Sequence, residues 1–215
     1  MQDLDFTGKI VLVTGGGAGI GRAIVEAFAT RGAHLVVAEK DADRCADLQA
    51  ALDASATEAL VSQTDVCDRA AVDALMAQVQ ARFGGLDVLV NNVGDFLGII
   101  KPFAACTDED LEQLYGVNLK HIFTVTRAAI PLLQSRGRGG SIISISSIEA
   151  FRGIPMVTTY CAFKHAITGF TRSLALELGP DGIRVNAIAP ETTETAQVRP
   201  SELIAPEHQA HTRRW

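Results

Sequence analysis

Six short, nearly uninterrupted apolar runs alternate with longer amphipathic stretches, and this alternation constrains the fold more than any other feature. KIVLVTG (9–15), HLVVAE (34–39), EALVSQTDV (58–66), LDVLVNNVG (86–94), GSIISISS (140–147) and IRVNAIAP (183–190) each contain a strand. They are rich in Val and Ile, whose branched Cβ suits a pleated backbone. Apolar residues at successive positions mean that both strand faces are buried, as in parallel sheets covered by helices on each side. The intervening stretches read as helices: GIGRAIVEAFATRG (19–32), DADRCADLQAALDA (41–54) and DRAAVDALMAQVQARFG (68–84). One long helix is expected over 107–137, opened by a Thr107/Asp110 capping box with Asp in place of the usual Glu or Gln. Another runs from Val157 to Leu178 and stops at Gly179-Pro180. Strand and helix alternating at this pitch predict a doubly wound parallel α/β sheet in three layers (α/β/α).

The 215 residues suit a single domain, with no linker, internal repeat or low-complexity tract before residue 190. The last stretch, 191–215, is polar and weakly patterned. Net charge is −6 and no Lys/Arg cluster occurs, which argues against nucleic acid or an anionic membrane as partner. The N-terminus has no basic and apolar leader pattern, and no uncharged apolar run is long enough to span a bilayer. Cys45, Cys67, Cys106 and Cys161 lie far apart, without metal-ligand or disulfide spacing, and a reducing cytoplasm fits them. His208 and His211 stand three apart with no further ligand nearby, so no metal site is expected.

TGGGAGIG (14–21) ends the first strand and opens the first helix. Its Gly15, Gly19 and Gly21 allow a tight turn and a close backbone approach to a pyrophosphate, which free N–H groups at the helix N-terminus can bind. Gly17 and Ile20 belong to the same turn. Glu39 ends the second strand, where a carboxylate can bind ribose hydroxyls and repel a 2′-phosphate. That favours NAD, although adjacent Lys40 can partly accommodate the phosphate of NADP. Tyr160 and Lys164 are four apart and share a helix face. An ammonium beside a phenol is expected to lower the phenol's pKa from its ordinary value near 10. Tyr160 then becomes a candidate proton acceptor for an alcohol, with Ser147 hydrogen-bonding the same oxygen.

Together, TGGGAGIG, TDV (64–66), NNVG (91–94), Asn118, SISS and Tyr160-x-x-x-Lys164, with Ser147 thirteen residues before Tyr160, resemble the short-chain dehydrogenase/reductases. The resemblance extends to Pro190 and implies a Rossmann-type fold and a nicotinamide cofactor. It divides the chain into a cofactor-binding half (1–94), a catalytic half (95–190) and a partial substrate loop (191–215). It implies that Asp65 meets the adenine amino group and Val66 its ring, and that Asn91 supports the fold. Asn92, Gly94 and Pro190 are expected along the cofactor cleft, and Lys164 on the nicotinamide ribose. Asn118 is expected to bend its helix and hold a water that links Lys164 to solvent.

Two residues depart from the family pattern. Glu191 follows Pro190 where Gly is usual, so an altered backbone is expected there; Phe163 adds bulk to the Tyr160 helix. More narrowly, NNVGDFLGIIKPF, SSIEAFRGIP and APETTETAQVRP resemble bacterial dehydrogenases of aromatic cis-dihydrodiol carboxylates, such as benzoate and p-cumate dihydrodiols. Arg199 is the candidate partner of such a carboxylate. A ketone reductase such as a 3-oxoacyl reductase, or a weakly catalytic NAD-binding protein, is the alternative. Relatives continue through a further helix and a seventh strand that helps to build a homotetramer. The sixth strand is therefore expected at a sheet edge, and the chain to be a fragment or an assembly-impaired form of a homo-oligomer.

Overall fold

A computed structural model describes residues 4–195. Six parallel strands form one sheet: β1 (Ile10–Thr14), β2 (His34–Glu39), β3 (Ala59–Gln63), β4 (Val88–Asn91), β5 (Gly140–Ile145) and β6 (Ile183–Ile188). Their order is β3-β2-β1-β4-β5-β6, so the chain winds outward in one direction from β1 and then in the other from β4. This is the expected doubly wound Rossmann-type fold, with β6 at the edge among the described residues. Helices α1 (Gly19–Ala29), α2 (Ala42–Ala54), α3 (Arg69–Phe83), α4 (Asp108–Tyr115), α5 (His121–Ser135) and α6 (Thr158–Leu178) connect the strands.

Period-two alternation in the strands divides the core into two layers. Leu12 and Val36 pack with Val72 and Val79 of α3 and Ala129 of α5. Val11, Val13 and Val37 face the other way, onto Val25 of α1 and Leu48 of α2. At the end of the sheet where the strands begin, the buried Asp87 carboxylate accepts the Ile10 N–H at 2.9 Å. It also accepts two hydrogen bonds from Arg138 and one from Arg136. Burial opposes charge on Asp87, but these donors outweigh it and hold the carboxyl below its ordinary range.

The single helix expected over 107–137 is divided. A π-helical turn, Gly116–Lys120, separates α4 from α5. The cause is Asn118, whose side-chain amide donates to the Leu114 carbonyl at 3.0 Å. That carbonyl is the one its own backbone N–H would take in an α-helix, so the ladder slips by a residue. The Thr107/Asp110 capping box forms as expected. No described helix is long and apolar enough to cross a membrane.

His121 follows the π turn and is fully buried, and neither ring nitrogen makes a well-formed hydrogen bond. Burial, then repulsion from Lys164, pushes its pKa down to about 4; the Val93 and Val117 backbones and the Asp65 charge pull weakly the other way. A histidine held neutral in the fold costs nothing above its unfolded pKa of 6.5. Stability is then lost as pH falls from 6.5 towards 4, because the unfolded chain takes up the proton first. His121→Asn should flatten that decline, by roughly 3 kcal/mol at most. Urea unfolding of both proteins across this pH range checks it; parallel curves would refute it.

Candidate active site

The carboxyl ends of the strands open onto one cleft of about 1040 Å³ beside the point where strand order reverses. Doubly wound sheets bind ligands at this place. The cleft is lined at one end by the glycine turn and Glu39, and at the other by Ser147, Tyr160 and Lys164.

The first wall is built for an anion. Helix α1 starts at Gly19 with no side-chain cap and no acid in its first turn, so its leading N–H groups stay available. A Cβ on Gly21 would lie 2.1 Å from the Gly15 carbonyl oxygen, so only glycine permits this packing of helix on turn. The Asn92 amide pins the turn by donating to the carbonyls of Thr14 and Gly15 at 3.0 and 3.1 Å. Its neighbour Asn91 is buried and donates to Thr126 and Ser144 inside the core.

Glu39 is buried at 5% exposure, unlike an ordinary surface glutamate. Its carboxylate accepts N–H groups from Gly17 at 3.0 Å and Asp41 at 3.2 Å. Lys40 and Arg44 stand beside it on the cleft wall. Asp65 accepts the Cys67 N–H at 2.9 Å, and buried Val66 lies next to it. Ile20, Gly94 and Pro190 line the same cleft. An open helix end, a carboxylate at the end of β2 and the Asp65/Val66 wall together fit a dinucleotide.

The other end is built by β5, the π turn and α6. Ser147 lies two residues past β5, and Tyr160 and Lys164 lie in the first two turns of α6. Lys164 is only 3% exposed; its ammonium donates to the Ile145 carbonyl at 3.3 Å and sits 5.4 Å from the Tyr160 ring centroid. Gly94 leaves room for it, because a Cβ there would lie 2.7 Å from Lys164 Nζ. The Asn118 amide donates to the Asp95 carbonyl at 2.6 Å, and its oxygen accepts the Asp95 N–H at 3.1 Å. Asn118 thereby clamps the loop after β4 to the helix, and Gly94 brings it close to Lys164.

The electrostatics correct one expectation. The Tyr160 pKa is raised, not lowered: burial raises it, Ser147 partly offsets this, and the Glu149 and Asp95 charges raise it further. The ammonium lies over the ring and is engaged by the Ile145 carbonyl. Lys164 itself is pushed down to about 8 by burial, with Glu149 and Asp95 pulling back.

Glu149 is the residue that sequence reasoning missed. The Ser147 hydroxyl donates to Glu149 Oε2. Arg152 donates to Glu149 Oε1 at 2.9 Å and to Glu191 Oε1 at 2.8 Å. An acid two positions after a strand-end serine, on the turn that the serine caps, was the available signal. Glu191 has no positive φ, so the backbone there does not require the usual glycine. Arg199, His208 and His211 lie outside the described residues.

The family model for "short chain dehydrogenase" matches residues 9–203. Galactitol 2-dehydrogenase of Agrobacterium fabrum is 40% identical over 182 residues, spanning 85% of this chain and 69% of that protein. A 2,5-dichloro-2,5-cyclohexadiene-1,4-diol dehydrogenase of Sphingobium indicum is 36% identical over 196 residues, spanning 91% of this chain and 76% of that protein. A solved 7α-hydroxysteroid dehydrogenase, complexed with NADH and 7-oxo glycochenodeoxycholic acid, superposes with a TM-score of 0.88 at 31% identity. That superposition covers 96% of this chain and 79% of the other. The chain belongs to the short-chain dehydrogenases, oxidoreductases that act on CH–OH groups with a nicotinamide cofactor.

Burial of Lys164 makes a prediction about stability. The unfolded lysine holds its proton to 10.5 and the folded one only to about 8, so stability rises with pH between these values. Below pH 8 the buried charge costs on the order of 3 kcal/mol. Lys164→Met should therefore raise Tm at pH 7, and the gain should shrink as pH climbs past 8. Calorimetry on the cofactor-free protein tests this; a lower Tm for Lys164→Met at pH 7 would refute it.

Proposed function

We propose that this chain transfers hydride between a secondary alcohol and NAD, with residues 1–94 forming the cofactor-binding half and 95–190 the catalytic half. The convergence of Ser147, Tyr160 and Lys164 at one end of a cleft whose other end is an uncapped helix N-terminus carries this reading. When bound, the nicotinamide supplies the hydride acceptor. Tyr160 Oη takes the alcohol proton, and Ser147 Oγ orients the reacting oxygen. Lys164 holds positive charge behind the phenol and binds the cofactor's ribose. Asn118 positions the Gly94–Asp95 loop against Lys164, and a water on Asn118 would carry the proton onward. Glu39 would hold the adenosine ribose hydroxyls and would favour NAD over NADP.

The substrate we propose is a diol, the dihydrodiol class included. Phe96, Leu97, Ile154 and Val157 give its site an apolar wall. Asp95, Glu112, Glu149 and Glu191 surround that wall, against Lys164 on the wall and Arg152, which bridges Glu149 and Glu191. Among the described residues this wall carries more negative than positive charge, which suits the hydroxyls of a diol. The galactitol and cyclohexadiene-diol relatives support the diol reading. The reverse reaction, ketone reduction, would use the same groups with the Tyr160 phenol as proton donor.

Tyr160→Phe keeps the ring and removes the transferable proton. Turnover should fall at least ~10²-fold, with NADH binding little changed. Steady-state rates over a panel of diols and alcohols, with fluorescence titration of NADH, test the role; near-native turnover would exclude it. Glu39→Ala should reduce the NAD:NADP ratio of kcat/KM by about tenfold, the scale of a hydrogen bond to a charged group. A native enzyme that prefers NADP would overturn the assignment of Glu39.

A further inference from the structure

Ser147 has a single hydroxyl proton, which it donates to Glu149 Oε2, and the same hydroxyl lies within hydrogen-bond reach of the Tyr160 phenol. A serine that orients a reacting alcohol, or polarises a carbonyl, needs that proton for the substrate oxygen. While the bond to Glu149 holds, Ser147 offers the incoming oxygen only lone pairs. Glu149 is anchored: Arg152 holds Oε1 at 2.9 Å and is itself held by Glu191. Oε2 is the atom that faces Ser147, and Glu149 lines the cleft beside Tyr160. An oxygen bound between Ser147 Oγ and Tyr160 Oη therefore lies close to Glu149 Oε2. In a vicinal diol the second hydroxyl is about one hydrogen-bond length from the first.

Resting on the dehydrogenase reading above, we propose that Glu149 is a specificity-determining residue that selects vicinal diols. The second hydroxyl donates its proton to Glu149 Oε2 and replaces the Ser147 hydroxyl there. The Ser147 proton then rotates onto the reacting oxygen. No bond to carbon forms or breaks in this exchange; one hydrogen bond to the carboxylate replaces another. A monoalcohol leaves Ser147 tied to Glu149 and reacts through a poorly oriented oxygen. A 2-hydroxy acid places a second carboxylate against Glu149 and is repelled. Glu191, the departure from the usual glycine, has a function in this scheme: it fixes Arg152, and Arg152 fixes Glu149.

The experiment compares cis-1,2-cyclohexanediol, its monomethyl ether and cyclohexanol as substrates with NAD. The ether fills the same space but cannot donate to a carboxylate. The wild type should oxidise the diol with the highest kcat/KM, leaving ether and monoalcohol about tenfold lower, as expected for one charge-assisted hydrogen bond. Glu149→Gln and Glu149→Ala should bring the diol:cyclohexanol ratio down by a similar factor, with NADH titration confirming an intact fold. A purely structural Glu149 would lower all three substrates together and leave the ratio unchanged. Equal rates for diol and ether in the wild type overturn the proposal without any variant and leave the dehydrogenase reading standing. Failure to oxidise any of the three, or any alcohol of a wider panel, while NADH binds, overturns both.

Discussion

A buried ammonium is the constraint around which the catalytic end is assembled. Lys164 is nearly inaccessible, and an unpaired charge in such a place is costly. The structure meets that cost with features that are otherwise odd. Gly94 stands where any side chain would strike Nζ. The Ile145 carbonyl, at the end of β5, accepts a hydrogen bond from it, and the Ser146 hydroxyl bonds the Lys164 backbone carbonyl. The Asp95 and Glu149 charges favour the ammonium from the cleft side. Helix α6 and strand β5 are thus locked in register by the group that the chemistry needs.

The same logic explains the π turn. Asn118 gives its amide to Leu114 and Asp95 and breaks the regular ladder. In exchange the loop carrying Gly94 is held at a fixed distance from α6. At the opposite end of the sheet, Asp87 ties β1 to the Arg136 and Arg138 segment before β5. The strands are therefore fixed at their beginnings by an ion cluster and at their ends by the site. The loops between can vary with substrate while the reacting groups stay in place.

Much of this was legible in the residues because the relevant signals are local. Strand runs such as HLVVAE carry their own period and end in turn residues, and β2 occupies those six positions. The glycine turn and the Ser147, Tyr160, Lys164 spacing point to one sheet end once the strand order is known. The π turn was illegible because a slipped ladder depends on where one side-chain amide points, which helical periodicity does not encode. The sense of the Tyr160 shift was illegible for a related reason. Four-residue spacing brings an ammonium near a phenol but does not give the burial of either, nor the two carboxylates across the cleft. Glu149 lay in a motif quoted for its resemblance, and only the turn after Ser147 brings its carboxylate back onto the serine.

The charge balance at the substrate end follows from the same turn. Two glutamates share one guanidinium, so the Glu149–Arg152–Glu191 chain keeps a net negative charge, and Asp95 adds to it. Burial resists ionisation of Glu149, yet the hydrogen bonds from Ser147 and Arg152 prevail and hold its carboxyl below the ordinary range. It is therefore charged at neutral pH. Burial first, and then the Glu149 and Asp95 charges beside the phenol, make the phenolate harder to reach. The field is useful to a dehydrogenase only when binding offsets part of it. A hydroxyl that donates to Glu149 does so, because it disperses the carboxylate's charge and leaves the Ser147 proton to stabilise the developing alkoxide. Substrate recognition and proton transfer are thereby coupled through one oxygen atom, Oε2 of Glu149.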